Sequence, residues 1–431
     1  MAVQDKPSNE DNRLTCPPCT ADTASTKPPS TTTTSSSSCT STATRNSPVV
    51  IVREEAEDGS KAYHYDPTAR SCGWCYAVLP SSTCTTVRCT SCPRLYCTND
   101  CRSLDEESHH FWCGKAGEKG VDFAIAVVPN KGMGLVTRRS FQRGEKILTE
   151  RPVLTTHGLV PPVTPNSDDM NTSIRIAAMA LTPLDGNLDD KVNANGVSVG
   201  GQHQHQPTPA QRNDNGETKE DTQEDEDTSS SPYVNTHANT GAGLFLTFSR
   251  VNHDCVGNSD HYFDHQHGVE VLVANTEIAA GTEITFPYTR TGKDRIADLA
   301  WRGFVCDCRA CHHPTTVGAK LEQVKSLEQT VMDLGGQPCD TLRQTAVHNA
   351  YAMLELFEEL KVSDREFARA HYDLFQILVL QHATVQQANV HMTKAHEHAQ
   401  RFCGYDEHEI VSRFKHYCDH PEEHLNYRSI D

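Results

Sequence analysis

Apolar residues fall along this chain in different patterns, and each pattern predicts a different structure. Between 121 and 160 they form short runs: Phe123-Ala-Ile-Ala-Val-Val128, Gly134-Leu-Val136 and Lys146-Ile-Leu148, separated by Gly and Asn turns. Such runs predict strands. The pattern returns in Leu244-Phe-Leu-Thr-Phe248, in Val269-Glu-Val-Leu-Val273 and over 283–288. Residues 170–181 carry apolar positions at helical spacing and stop at Pro183, which predicts a helix. After Pro314 the helical period takes over. Leu321, Val324, Leu327 and Val331 repeat on one face, as do Ala352, Leu356 and Leu360, then Ala370, Leu374, Leu378 and Val379. This predicts a bundle of antiparallel helices over 314–431. No strict period marks a repeat array.

Two segments lack any such pattern. Residues 1–60 form a tail whose first part is rich in Ser, Thr and Pro, and 184–232 are rich in Asn, Gln, Asp and Glu. Neither buries enough apolar surface to offset the entropy of ordering, so both are expected to be disordered. The length of 431 residues suits two to three domains. The net charge of −18 argues against a broad basic face for nucleic acid. It suits basic partners such as Lys-rich tails, and it serves solubility equally well. No apolar stretch follows Met1, and no run approaches the length of a membrane span. No membrane association is expected.

The 18 cysteines change the picture most. They gather as Cys72-x2-Cys75, Cys89-x2-Cys92, Cys97-x3-Cys101 and His109-x3-Cys113. Metal ligands are spaced this way, whereas buried free thiols need no such order. Eight ligands in four pairs fit two zinc ions. Cys84 is spare, and His110 competes with His109. Cys16-x2-Cys19 has no second pair nearby. A further set joins the lone Cys255 to Cys306-x-Cys308-x2-Cys311, enough for one four-thiolate zinc site. His312 and His313 follow it and could compete. Four protein ligands leave no open position, so all three sites are structural. Metal-spaced thiols also point to a reducing compartment, nucleus or cytoplasm.

Residues 61–118, with Tyr96 just before Cys97, resemble a MYND zinc finger. The resemblance implies interleaved ligation, with Cys72, Cys75, Cys97 and Cys101 on one ion and Cys89, Cys92, His109 and Cys113 on the other. It also implies a possible peptide ligand for the finger.

A second resemblance is carried by four motifs in order: Lys131-Gly132-Met133-Gly134, Asn252-His253-Asp254-Cys255, Gly281-Thr-Glu-Ile-Thr-Phe-Pro-Tyr288 and Phe304-x-Cys306-x-Cys308-x2-Cys311. Singly, these read as a hairpin turn, a loop with a satisfied histidine, a strand-end tyrosine and a core phenylalanine. Their joint order resembles SET-domain protein lysine methyltransferases of the SET-and-MYND type. It spans about 121–313, and the helical region after 314 is similar to that type's C-terminal part. The resemblance implies an α+β chain. Its parts are a β-rich SET domain over 121–290, a post-SET zinc segment over 291–313, the N-terminal finger and the helical domain.

It further implies S-adenosylmethionine as cofactor and a protein or peptide lysine, histone or non-histone, as methyl acceptor. Methyl transfer from a sulfonium needs an aligned, deprotonated amine more than acid–base help. A narrow apolar channel aligns the lysine and lowers its pKa by desolvation. Tyr288 is the expected catalytic residue. Lys131, Gly132, Met133, Gly134, Asn252, His253, Tyr288 and Phe304 are the expected cofactor contacts, with Ser249 and Asn235 as further ones.

Departures are visible. Asp254 stands where the family pattern has Ser, and Gly257 where it has Pro, while Asn258 is kept. The finger precedes Phe123 instead of lying inside the SET sequence. A catalytically inactive interaction protein built from the same parts is the alternative reading.

Overall fold

Most of the short apolar runs become two small sheets. The computed structural model describes residues 50–55, 61–65, 70–76, 79, 86–155, 158–159, 197–198, 242–289, 295–301 and 305–428. In the first sheet, Phe123–Val128 pairs with Gly132–Thr137, which pairs with Glu283–Phe286; Asn252–His253 adds a parallel edge to that last strand. In the second, Ser259–Asp264 pairs with Val269–Ala274, which pairs with Lys146–Glu150.

Val269–Ala274 explains why its run is apolar without alternation. Every residue of the strand is buried. Val269, Val271 and Val273 enter the core made with the C-terminal helices, while Leu272 and Ala274 enter the core of the first sheet. A strand covered on both faces has no polar side to show in sequence. The buried Glu270 is met by His261 Nδ1 at 2.7 Å.

The strand expected over 244–248 is corrected. Strand Ala242–Leu244 ends there, and the chain turns into the 3₁₀ helix Phe248–Arg250. The buried Glu150 carboxylate accepts from the amides of Thr247 at 2.9 and 3.1 Å and of Phe248 at 2.7 Å. Those amides are satisfied without a ladder. Strand Glu283–Phe286 likewise stops short of Tyr288, at Pro287, which offers no amide to a ladder.

Two short strand pairs fall within the segments for which the sequence predicts disorder. Val50–Glu55 pairs with Lys61–Tyr65, joining part of the expected tail to the start of the finger region. Its β-branched Val50-Ile51-Val52 suits a strand. Inside the expected insertion, Val197–Ser198 pairs with Ala242–Leu244. The helix expected over 170–181 lies outside the described residues, as does most of 1–60 and 184–232.

The helical domain holds Ala319–Gly335, Asp340–Leu360, Asp364–Leu378, Val385–Cys403 and Glu409–Asp419, each packed on the next. Leu321, Val324, Val331, Leu356, Leu360, Ala370, Leu374, Leu378 and Val379 are buried, so the spacing in the sequence marks the core face. Among the described residues, no helix is long and apolar enough to cross a membrane. The chain is therefore an α+β fold with a central sheet unit, cysteine clusters on either side of it in sequence, and a helical C-terminal region.

Polar groups, most of them buried, tie the sheets to the helices. Lys146 Nζ donates to the carbonyls of Gly144, Arg401 and Phe402 at 3.0, 3.0 and 2.8 Å. It thereby caps the C-terminal end of Val385–Cys403, where the helix dipole favours a cation. Asp264 accepts from Trp112 Nε1 of the finger helix at 3.1 Å and from Tyr405 of the helical domain at 2.9 Å. Arg143 makes a two-pronged bond to Asp364, at 3.0 Å on each oxygen.

The helical domain also buries histidines in neutral form. His371 Nδ1 lies 3.0 Å from His391 Nδ1, and His391 Nε2 lies 2.7 Å from the Tyr351 hydroxyl. Burial lowers His371 from 6.5 to about 3, and lowers His391, His408 and His424 to about 4. The unfolded chain thus binds more protons below pH 6.5. Stability is full above that value and falls as the pH drops towards 4, by on the order of 1 kcal/mol per pH unit for each histidine. Urea unfolding between pH 7.5 and 4.5 should show this loss, and His391→Gln should flatten it. A midpoint independent of pH would contradict the burial argument.

Candidate functional site

The finger is assembled by one helix and one short hairpin. Thr98 caps the helix Asn99–Trp112 by accepting from the Cys101 amide at 3.1 Å. The strands Val87–Arg88 and Leu95–Tyr96 carry Cys89 and Cys92 at their turn. Cys72, Cys75, Cys97 and Cys101 then form one cluster, and Cys89, Cys92, His109 and Cys113 another; the ligand atoms of each lie within 4.8 Å of one another. His109 is buried and His110 exposed. Burial holds His109 down at about 4, so its nitrogen keeps the lone pair a metal needs. Tyr96 is fully buried and donates to Asp105 at 2.9 Å. The finger docks on the sheet unit through Arg151, whose guanidinium sits 3.5 Å from the Trp74 ring centroid. Cys84 lies outside the described residues.

The third cluster joins Cys255 to Cys306, Cys308 and Cys311. Cys255 Sγ lies 4.0 Å from Cys306 Sγ and 3.8 Å from Cys311 Sγ. Four thiolates around a zinc ion stand about 3.8 Å apart, given Zn–S bonds of about 2.3 Å. The sulfur spacing therefore fits the ion. His312 and His313 are exposed and stand outside the cluster.

From Cys255 the chain leads directly to Tyr288. His253 is buried, and its two ring nitrogens have different partners. Nδ1 accepts from the Tyr288 amide at 3.0 Å, and Nε2 lies 3.3 Å from Cys255 Sγ. The Tyr288 hydroxyl donates to the Val251 carbonyl at 2.7 Å. The ring of Tyr288 packs on those of His253 and Phe286, at centroid distances of 5.1 and 5.0 Å. Both ends of Tyr288 are thus tied to the segment 251–253.

Asn252 points the other way, towards the loop at 131–134. Its Nδ2 donates to Glu283 Oε1 at 2.8 Å and to the Met133 carbonyl at 3.3 Å. Lys131 Nζ binds Glu283 Oε2 at 3.0 Å. Gly132 has φ +78, which favours glycine. At Gly134 a Cβ would stand 2.6 Å from Val128 and 2.8 Å from Asn252 Nδ2. A cation, a carboxylate, an amide and bare backbone thus meet between the 131–134 loop and Asn252. Ser249 lies in the 3₁₀ turn ahead of Val251. Phe304 and Asn235 lie outside the described residues.

Glu283 and Glu150 were missed in the motif reading. Glu283 sits inside a quoted motif, yet only the fold shows that it holds Lys131 and Asn252 together. Glu150 gives no local signal, since its partners lie some hundred residues away, at Thr247 and Phe248.

The two departures have local explanations. Asp254 Oδ1 accepts from the Val256 amide at 2.9 Å, a turn that Ser also makes. Burial raises Asp254 to about 6. Gly257 packs so closely on the strand beside it that a Cβ would lie 2.6 Å from both Phe286 Cα and the Thr285 carbonyl oxygen. Asn258 completes the seal. It donates to the Glu283 carbonyl at 2.8 Å and accepts from the Thr285 amide at 2.9 Å.

Part of the chain is similar to known proteins. Residues 132–289 match the SET domain family model. The SET domain-containing protein SmydA-8 of Drosophila melanogaster is 33% identical in isoform A over 91 residues, 20% of this chain and 20% of that protein. A SET and MYND domain-containing protein of Dictyostelium discoideum is 37% identical over 76 residues, 17% of this chain and 22% of that one. The chain thus spans about a fifth of the length of the relatives it matches.

The close approach at Gly257 makes a direct prediction. Gly257→Ala must displace backbone, so it should cost about 1–3 kcal/mol in urea unfolding. Gly336→Ala, with nothing within 4 Å of the added Cβ, should stay within about 0.5 kcal/mol. Equal midpoints for both variants would refute the packing argument.

Proposed function

We propose that this chain, a protein of the SET-and-MYND type, is an S-adenosylmethionine-dependent protein lysine methyltransferase. The observation that carries the reading is the placement of Tyr288 beside the segment 251–253 while Asn252, Lys131 and Gly134 meet on the other side of it. When bound, S-adenosylmethionine supplies a sulfonium methyl group for in-line transfer to an amine.

The residues would act as follows. Lys131 and Asn252 would engage the amino-acid end of the cofactor, with Glu283 facing its ammonium. Gly132 and Gly134 would admit it close to the backbone. Tyr288 donates its hydroxyl proton to Val251, so its oxygen keeps lone pairs that can accept from the lysine nitrogen. This would align the amine with the methyl group, which is where such a reaction gains most. The desolvated lysine loses its proton more readily than in water. The zinc clusters would hold the finger and the post-SET segment without touching the reaction. Clustered thiols of this kind also fit a nuclear or cytoplasmic setting, where they stay reduced.

The inactive-scaffold reading rested on the changed Asn-His turn. The local bonds of Asp254 and Asn258 and the tight packing of Gly257 supply that turn with an alternative support. The changed turn therefore gives the inactive reading no support of its own.

Radiolabelled methyl transfer from S-adenosylmethionine to a cell extract should label a lysine. Tyr288→Phe should keep cofactor affinity within about twofold and lower kcat or change the number of methyls added. Full activity with unchanged product in Tyr288→Phe would remove Tyr288 from its assigned role.

A further inference from the structure

The histidine of the 252–255 motif does something its position in the motif does not announce. Its imidazole is buried and has both nitrogens engaged inside the protein. Nδ1 lies 3.0 Å from an amide nitrogen, which can only donate. Nδ1 therefore carries the lone pair, and in the neutral ring the proton sits on Nε2. That proton faces Cys255 Sγ at 3.3 Å. A metal-bound thiolate is a strong acceptor for such a bond.

We infer that His253 is a positioning residue that couples the Cys255–Cys306–Cys308–Cys311 cluster to Tyr288, by donating Nε2–H to the Cys255 thiolate and accepting the Tyr288 amide on Nδ1. The path is short and leaves little slack. Asn252–His253 pairs with Thr285 and Phe286 in parallel register, which fixes the backbone on one side. The Asp254 amide donates to the Phe286 carbonyl at 3.3 Å, which fixes it one residue further on. The ring is then held by the cluster at one nitrogen and by Tyr288 at the other. The Tyr288 hydroxyl returns to Val251 at 2.7 Å, closing a loop of contacts around the side chain. Loss of the ion would free Cys255, tilt the ring and loosen the Tyr288 amide. The cluster would thereby set the orientation of Tyr288 although its sulfurs need not touch any substrate. The meaning of Tyr288 orientation for catalysis rests on the methyltransferase reading; the bond network itself does not.

Two substitutions separate the two arms. In His253→Asn the side-chain oxygen can take the place of Nδ1 and the bond to Cys255 is lost. In His253→Gln the amide can reach the place of Nε2 and the bond to Tyr288 is lost. The full chain would be loaded with cadmium-113 in place of zinc, and the cluster's resonance identified by its loss in Cys308→Ser.

His253→Asn should move that resonance and leave those of the finger unchanged. His253→Gln should leave it in place and speed hydrogen exchange at the Tyr288 amide by roughly tenfold or more, as expected for a lost hydrogen bond of about 1.4 kcal/mol. If either variant fails to fold, the wild-type chain still decides the first arm, through a scalar coupling between the His253 Nε2 proton and the cluster's cadmium. For the second arm, the wild-type Tyr288 amide should exchange faster once the metal is removed. An unmoved resonance in His253→Asn, an absent coupling, or Tyr288 exchange indifferent to His253→Gln or to metal would overturn the coupling. Neither readout uses the cofactor, so a chain that transfers no methyl would sink the enzyme reading and leave this one standing.

Discussion

The close packing of segment 251–258 against strand Glu283–Phe286 is the constraint on which the rest of the site depends. Gly257 has no room for a Cβ, because two backbone atoms of the strand lie within 2.6 Å of where it would stand. Asn258 pairs with that strand through its side chain as a neighbouring strand would through its backbone. With the segment clamped, Asn252 can only face Glu283 and Met133, and His253 can only face the other way. One short stretch thus turns one residue towards Glu283 and the 131–134 loop and the next towards Tyr288. The alternation of side chains along an extended backbone produces this division.

The same logic operates at larger scale in Val269–Ala274. Val269, Val271 and Val273 belong to the helical core and Leu272 and Ala274 to the sheet core. The strand is therefore shared by both halves, and neither can shift without exposing it. Lys146 and Asp264 add buried polar ties at the same boundary, and the exposed Arg143 pairs with the buried Asp364. Asp364, held by Arg143, Arg401 and His398, is a case where burial raises the carboxyl but its three partners outweigh it, bringing it to about 2. Removing one member of such a group leaves buried charge behind, which costs more than the bond contributed. The finger reaches this boundary through Trp112 and Asp264, so its position before Phe123 in sequence does not detach it from the core.

Much of this was legible in the chain itself. The cysteine pairs were readable because metal ligands declare both their type and their spacing, while the interleaving of the finger's pairs came from its resemblance to a MYND finger. Strands such as Phe123–Val128 and the helices after Pro314 were readable because burial imposes a period. What escaped depends on distant partners. The turn after Leu244 looks like a strand by composition and becomes a 3₁₀ helix because Glu150 takes its amides. Glu283 and Asp264 are ordinary acids until the fold surrounds them. The direction of the His253 ring was not readable either, since a motif places a residue and the tertiary structure aims it.

Tyr288, Asn252 and the 131–134 loop form one site only if S-adenosylmethionine binds among them. Hydrogen exchange of the zinc-loaded full chain, with and without S-adenosylmethionine, locates that site without any substrate. Protection should appear at the backbone amides of 131–134 and 251–254, with Tyr288 among the slowed positions. Protection confined to other regions, such as the cavity of about 550 Å³ lined by Arg94, Glu118 and Arg138 between finger and sheet, or no protection at saturating ligand, would contradict it.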